Sequence, residues 1–344
     1  MTLIQDTAYP RLPTSPGTAE LAGFTPTAAE MAFVIGRTRR TGPRFALLVL
    51  LKTFQRLGYF VALGQVPPAI REHLAISAGL TDALDGLAGY EASTYRVRLT
   101  AIVREFVGVS NDGQAVRRTA VRAGIEATRA RDEVADIVNA MVEELVRQRL
   151  ELPAFDTVRR IALTARAVVN RGYHRQAAGA LAAEVRDRLN GLLALPPGQR
   201  RTAWDRVKAE PRRPTPRNMQ DFLRHLDWLR EQGAGTAVFA DVPDAKVRHF
   251  AAEARTVTAN VLSRMVEPKR LALMAALLQG QISRTLDDLA EMFVRQLQRM
   301  HARAQDALRL HQLEKTEQTD ALVALLRETV LTCRGEGSGE QRLA

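Results

Sequence analysis

The side chains with the most chemistry to offer are arginines, and they are unevenly spread. From Met31 to Arg71 there is no Asp or Glu, yet Arg37, Arg39, Arg40, Arg44, Lys52, Arg56 and Arg71 all fall there. From Thr157 to Ala183 the pattern returns, with Arg159, Arg160, Arg166, Arg171 and Arg175 unopposed and Tyr173 and His174 among them. A third group, Arg96, Arg98 and Arg104, lies in the segment STYRVRLTAIVREFVG. Guanidinium is a planar fork of donors suited to bidentate phosphate contact, and each neutralised phosphate releases counterions and adds affinity at low salt. Separated basic tracts without local acids therefore point to a phosphate-tracking surface. A solvated helix face explains any one tract taken alone, and a GC-rich genome would also raise arginine use.

Catalytic chemistry has far less to build on. The histidines stand at 73, 174, 225, 249, 301 and 311, and none pairs with another at metal-ligand spacing. There is no phosphate-loop glycine pattern and no nucleophile elbow. The run VVNRGYHRQ reads as a basic turn rather than an acid–base site. Asp287-Asp288 and Glu143-Glu144 sit at helical phase, where charge pairing is the default role. No catalytic residue, metal ligand or cofactor is expected in this chain.

Composition sets the frame for these groups. The 344 residues carry 49 Lys and Arg against 38 Asp and Glu, a formal charge of +11, and are 46% hydrophobic. That is enough apolar content for two or three cores, and the excess charge favours an acidic partner, nucleic acid or an anionic membrane face. No apolar run reaches the roughly 18–20 residues of a membrane span. The start, MTLIQDTAYPRLPTSPG, has neither the basic n-region nor the apolar core of a secretion signal. A lone Cys333 excludes an internal disulfide framework. The expectation is a cytoplasmic, nucleoid-associated protein with no membrane partner.

The elements that must position the arginines read as helices. Thr27 to Glu30 is a capping box ahead of an apolar run, so a helix is expected from about 27 to 39. PRFALLVLLKTFQRLG is a second helix, apolar nearly all round and so bound for a core. Pro67-Pro68 opens a third, PAIREHLAISAG. Further helices are expected at 93–108, 112–130, 131–150, 156–171, 176–194, 199–209, 215–232, 243–265, 267–281 and 284–330. No alternating strand is evident. The chain divides into an extended arm (1–25), a first helical module (26–110), a second (111–195), a helical scaffold ending in a long helix (196–334) and a linker tail (335–344). Leu286, Phe293, Met300 and Ala307, with Ala290, Leu297 and Ala304, form a heptad seam. It offers self-association through 284–330; a packing helix inside a bundle is the preferred alternative.

The stretch RRTGPRFALLVLLKTFQRLGYFVALGQVPPAIREHLA resembles the opening module of the Tn-three family of transposases, the replicative transposases of class II bacterial transposons. The likeness rests on the Arg39-Arg40 doublet, Phe45-Ala46 entering a leucine run, Leu51-Lys52, Phe54-Gln55, Gly58 with Phe60, and Val66-Pro67-Pro68 leading into a helix with Leu74. It continues through YRVRLTAIVREFVGV, LPAFDTVRRIALTAR, RRPTPRNMQDFLRHLDWLREQG and ALVALLRETV, and so covers about residues 8 to 334. Pro43-Arg44 departs from the Leu-Gly pair common at that place in the family. The resemblance implies helix-turn-helix-like modules that bind the terminal inverted repeats of a transposon. It also implies that strand transfer, with its divalent metal, belongs to a ribonuclease-H-like domain beyond this chain. On that basis the chain would be a truncated or split transposase.

Together these readings give an all-α, multi-module protein binding double-stranded DNA. Arg37, Arg39, Arg40, Arg44, Lys52 and Arg56 form one phosphate-contacting set; Arg96, Arg98 and Arg104 a second; Arg159, Arg160, Arg171 and Arg175 a third. PAIREHLAISAG, with Arg71, Glu72 and His73, is the expected base-reading helix, and RTRRTGPRF a phosphate clamp at a helix N-terminus. The competing reading is a basic helical scaffold for RNA or an acidic protein.

Overall fold

The computed structural model describes residues 3–91, 94–211, 213–233 and 236–335. The tail beyond Gly335 lies outside the described residues. Among these the chain is all-α, with one isolated bridge between Ser110 and Leu150 and no sheet. The helices are α1 Thr18–Ala22, α2 Ala28–Arg37, α3 Thr41–Leu57, α4 Pro68–Ala78, α5 Thr94–Val107, α6 Gly113–Ala130, α7 Val134–Arg147 and α8 Phe155–Ala180. Then come α9 Ala183–Gly191, α10 Ala203–Val207, α11 Pro216–Glu231, α12 Asp244–Thr256, α13 Ala259–Ser263 and α14 Glu267–Gly335. They fall into two compact units: Met1–Ala180 with Ala237–Glu253 and Val266–Leu273, and Leu181–Thr236 with Ala254–Met265 and Met274–Ala344.

The first unit has two cores. At the start of α2 the Thr27 hydroxyl accepts the Glu30 N–H, and the Glu30 carboxylate takes the Thr27 N–H at 2.7 Å. That is the reciprocal capping box the sequence announces. Every residue of α3 from Phe45 to Phe54 is buried. A helix apolar on all sides is stable only at the centre of a core, and α2, α4 and α5 pack around it. Gly58 ends α3 at φ 73°, and a Cβ there would stand 3.3 Å from the Leu152 side chain.

The second core joins α6, α7 and α8 through Ala120, Ile137, Met141, Leu145 and Val158. The segment expected to be an extended arm contributes to it. Tyr9 is buried, its hydroxyl donates to the Pro153 carbonyl at 2.7 Å, and its ring packs on Tyr59 and Phe155. Proline and glycine made this segment look unstructured, yet one buried aromatic is enough to tie it down, and it also holds a 3-10 turn and α1.

Lys246 of α12 is held in the same unit with its side chain 1% exposed. Its ammonium donates to Asp132 Oδ2 at 2.8 Å, the Arg131 carbonyl at 2.9 Å and Asn170 Oδ1 at 3.0 Å. Burial pushes this ammonium below the usual lysine range, and the Asp132 carboxylate opposes that. A buried charge is tolerated only when its donors are all engaged, so the cluster fixes α12 against the start of α7 and the middle of α8.

In the second unit Trp204 of α10 is fully buried and its backbone N–H donates to the Leu192 carbonyl at 2.8 Å. The Arg206 guanidinium lies 4.1 Å over the Trp228 ring of α11. Phe222 and Leu226 of α11 pack on Ile282, Leu289 and Met292 of α14.

Three expected boundaries differ. The basic turn expected at VVNRGYHRQ is helix: α8 runs through it, because a single Gly172 without a proline lowers helix propensity by only about 1 kcal/mol. For the same reason Gly280 does not separate the two helices expected at 267–281 and 284–330, and α14 is continuous over 69 residues. The single helix expected over 243–265 is instead α12 and α13, where Thr258 caps a new start by accepting the Val261 N–H. The heptad seam of α14 is not its packing stripe. Leu286, Phe293, Leu297 and Met300 remain 43–56% exposed, whereas Leu289 and Met292 are buried. From His301 to Arg334 every residue is exposed.

Candidate nucleic-acid interface

The corner between α2 and α3 keeps fewer free arginines than its sequence offers. Arg39 and Arg40 are exposed, and Arg40 stands at the N-cap of α3, where orphan N–H groups and the helix dipole favour an anion. Arg37 is drawn to Glu105 at 3.2 Å. Arg44 is half-buried and donates to the Thr38 carbonyl at 3.3 Å, so it braces the corner. The four-arginine clamp reduces to a pair.

Lys52 cannot touch phosphate. It is buried, and its ammonium donates to both Glu30 oxygens at 3.2 and 3.1 Å. Its place in an acid-free tract misled, because its partner lies 22 residues earlier on the neighbouring helix. Arg56 is exposed with its guanidinium 5.6 Å over the Phe24 ring.

Helix α4 does not present the expected base-reading face. Arg71 and His73 are half-buried, and His73 Nε2 shares a hydrogen bond with the Thr25 hydroxyl at 2.9 Å. The residues it exposes include Glu72, Ile76 and Ser77, which bring no cation to a phosphate-lined groove. On α5, Arg96 pairs with Glu91 at 2.7 Å and donates to the Val61 carbonyl at 2.8 Å. Arg104 donates to Glu151 at 2.6 Å and covers the Phe60 ring at 4.9 Å. Only Arg98 of this set is exposed without an acidic partner among the described residues.

On α8, Arg159 turns to Asp156 at 3.3 Å and Arg166 donates to the Asp132 carbonyl at 3.2 Å. Arg160, Arg171 and Arg175 are exposed and meet no carboxylate among the described residues. Their spacing puts them on one helix face over roughly 22 Å. Arg160 shares a groove of about 640 Å³ with Arg117 of α6, floored by Val121, Ile125, Ile161 and Val168.

Helix α6 carries a basic face that no long acid-free tract announces. Arg117, Arg118, Arg122 and Arg129 are all exposed on it. The signal was present but short: no acid occurs from Gly113 to Ile125, and Glu126 then closes the window. Arg122 approaches Glu144 only to 3.7 Å. Hydrogen bonds from Arg147 and Gln148 already engage that carboxylate and hold it at about 2.

The histidines do not form a reactive group. Burial pushes His174 down to about 4, and Lys269 adds to the effect. His225 is lowered by burial and then by Arg206. Among the described residues no cluster of His, Cys, Asp and Glu could hold a metal ion, and no helix is long and apolar enough to cross a membrane.

Residues 1–165 match a family described as a domain of unknown function, DUF4158. The match takes in the α2–α5 core, all of α6 and α7, and α8 as far as Ala165. No curated protein matches the chain.

Proposed function

We propose that this chain is a duplex-DNA-binding protein that recognises the terminal inverted repeats of a transposon, as its resemblance to the Tn-three family of transposases implies. The observation that carries the reading is the set of arginines without acidic partners among the described residues: Arg39 and Arg40 at the α3 N-terminus, Arg98 on α5, and Arg160, Arg171 and Arg175 along α8. Exposed guanidinium groups not engaged by carboxylates are free to neutralise phosphates, and such contacts fix position without reading sequence. Strand-transfer chemistry is not assigned to any residue of this chain. A gel-shift titration tests the reading, using a duplex with the inverted repeat that flanks the gene and a scrambled duplex of equal length. Tighter binding to the repeat at moderate salt is expected; equal binding to both, confined to very low salt, contradicts it.

One observation favours a second reading, a helical scaffold. Leu308, Leu310, Leu313, Leu322, Leu325 and Leu326 of α14 are all 56–63% exposed, more apolar surface than an isolated helix needs. Self-association through this part of α14 is compatible with DNA binding elsewhere.

A further inference from the structure

We propose that α6 is the helix that reads bases, lying in the major groove with Gln114, Arg118 and Arg122 toward base edges. The inference rests on the duplex-DNA reading above and assigns within it a role expected of α4. Helix α6 has 18 residues, about 27 Å of rod that a major groove roughly 12 Å wide admits. Gln114, Arg118 and Arg122 follow one another at i, i+4 and i+8, so they stack about 6 Å apart on one face. All three are exposed, and they line one continuous shallow surface with Arg117, Val121, Ile125, Glu126 and Arg129, where Glu126, the next residue of the row, is paired with Arg129 at 3.2 Å.

The chemistry of that face suits base edges. Arginine pairs with guanine O6 and N7, glutamine pairs with adenine N6 and N7, and an apolar side chain meets the thymine methyl. Val121 and Ile125 stand between the polar groups at the right phase for the last role. Arg117 borders both this surface and the α8 groove that holds Arg160, where it would meet a phosphate.

The opposite face of α6 is anchored, as a reading helix requires. Ala120 and Gly124 are buried, and a Cβ on Gly124 would stand 3.2 Å from Met141 Sδ. The Thr119 hydroxyl donates to Gln148 at 3.2 Å. The excess of arginine on the exposed face argues for a polyanion, and the apolar pair between them argues for bases rather than phosphate alone. Double-stranded RNA fits less well because its major groove is too narrow for a helix.

The test uses the full chain and a pool of duplexes with a randomised centre, from which bound sequences are selected and read. The wild type is expected to select a consensus containing guanines. Arg118→Ala and Arg122→Ala should each lose preference at a different guanine, by about fivefold to a hundredfold, with a much smaller loss of affinity for the unselected pool. Arg118→Lys should weaken that preference while keeping the affinity for the unselected pool, because a shorter, flexible ammonium replaces the planar, pre-organised fork. Circular dichroism checks that each variant is folded. A consensus unchanged in the variants, or weakening equal for all sequences, overturns the assignment to α6 and leaves DNA binding standing. A wild type that retains no duplex, or that prefers RNA or an acidic protein, overturns the underlying reading and this inference with it.

Discussion

Lys52 and Glu30 form a buried ion pair between α3 and α2, with the ammonium 3.1 Å from the carboxylate and both side chains at most 10% exposed. Glu30 also takes the Thr27 N–H at 2.7 Å and the Gln55 amide at 2.7 Å. Burial alone would raise the Glu30 pKa. The hydrogen bonds from Thr27, Gln55 and Lys52 outweigh it and hold the carboxyl below its usual range.

Lys52→Met is therefore expected to destabilise the first unit by about 3–5 kcal/mol, because it strands a buried carboxylate. Adding Glu30→Gln should recover much of that loss. Urea unfolding of the single and double variants checks both. In duplex binding, the folded fraction of the single variant should keep the wild-type salt dependence; a reduced slope would return Lys52 to the phosphate-contacting set.

Arg104→Ala should also act on stability and leave DNA binding alone. The change removes the 2.6 Å bond to Glu151 and the cover over Phe60, a loss of about 1–3 kcal/mol. Thermal unfolding measures it. A weaker DNA complex with unchanged stability would contradict the placement.

His174 gives the first unit a pH dependence of definite sign. Its pKa falls from 6.5 to about 4 in the fold, first because of burial. In that interval the unfolded chain takes up a proton that the folded chain refuses, so stability is full above about 6.5 and declines as pH falls toward 4. Urea midpoints measured across this range should drop in the wild type and change less in His174→Leu. Equal slopes in the two proteins would show that another group sets the dependence.

Ending the chain after Met300 should leave the unfolding transitions of both units unchanged, since every residue from His301 to Arg334 is exposed. A lone helix is marginal in water, so the same truncation should abolish any concentration-dependent association seen by sedimentation velocity. A fall in unfolding midpoint would reveal packing by this segment.

The helices were legible because their punctuation is local: Thr27, Pro68 and Gly58 act within one turn of themselves. Where a lone glycine was weighed as a break, at Gly172 and Gly280, packing overrode propensity and the helix continued. Charge tracts were legible as composition but not as surface. Lys52, Arg96 and Arg104 look free in the sequence; the partners of Lys52 and Arg104 stand 22 and 47 residues away, and that of Arg96 is Glu91 in the turn just before α5. The α6 face is hard to read in the sequence because its acid-free window, Gly113 to Ile125, is short and is closed by Glu126, the next residue of the Gln114–Arg118–Arg122 row. Burial of Tyr9 and Lys246 depends on partners more than a hundred residues away, which no local pattern records.

The central claim is that the exposed arginines without a carboxylate partner among the described residues bind duplex phosphates, and the salt dependence of binding tests it most directly. Arg39→Ala, Arg40→Ala, Arg171→Ala and Arg175→Ala should each weaken binding to the repeat and scrambled duplexes alike, and each should lower the slope of log K against log salt by about one. Arg37→Ala, whose guanidinium is engaged by Glu105, should change the slope much less. Slopes that remain at the wild-type value in all four variants would contradict the account.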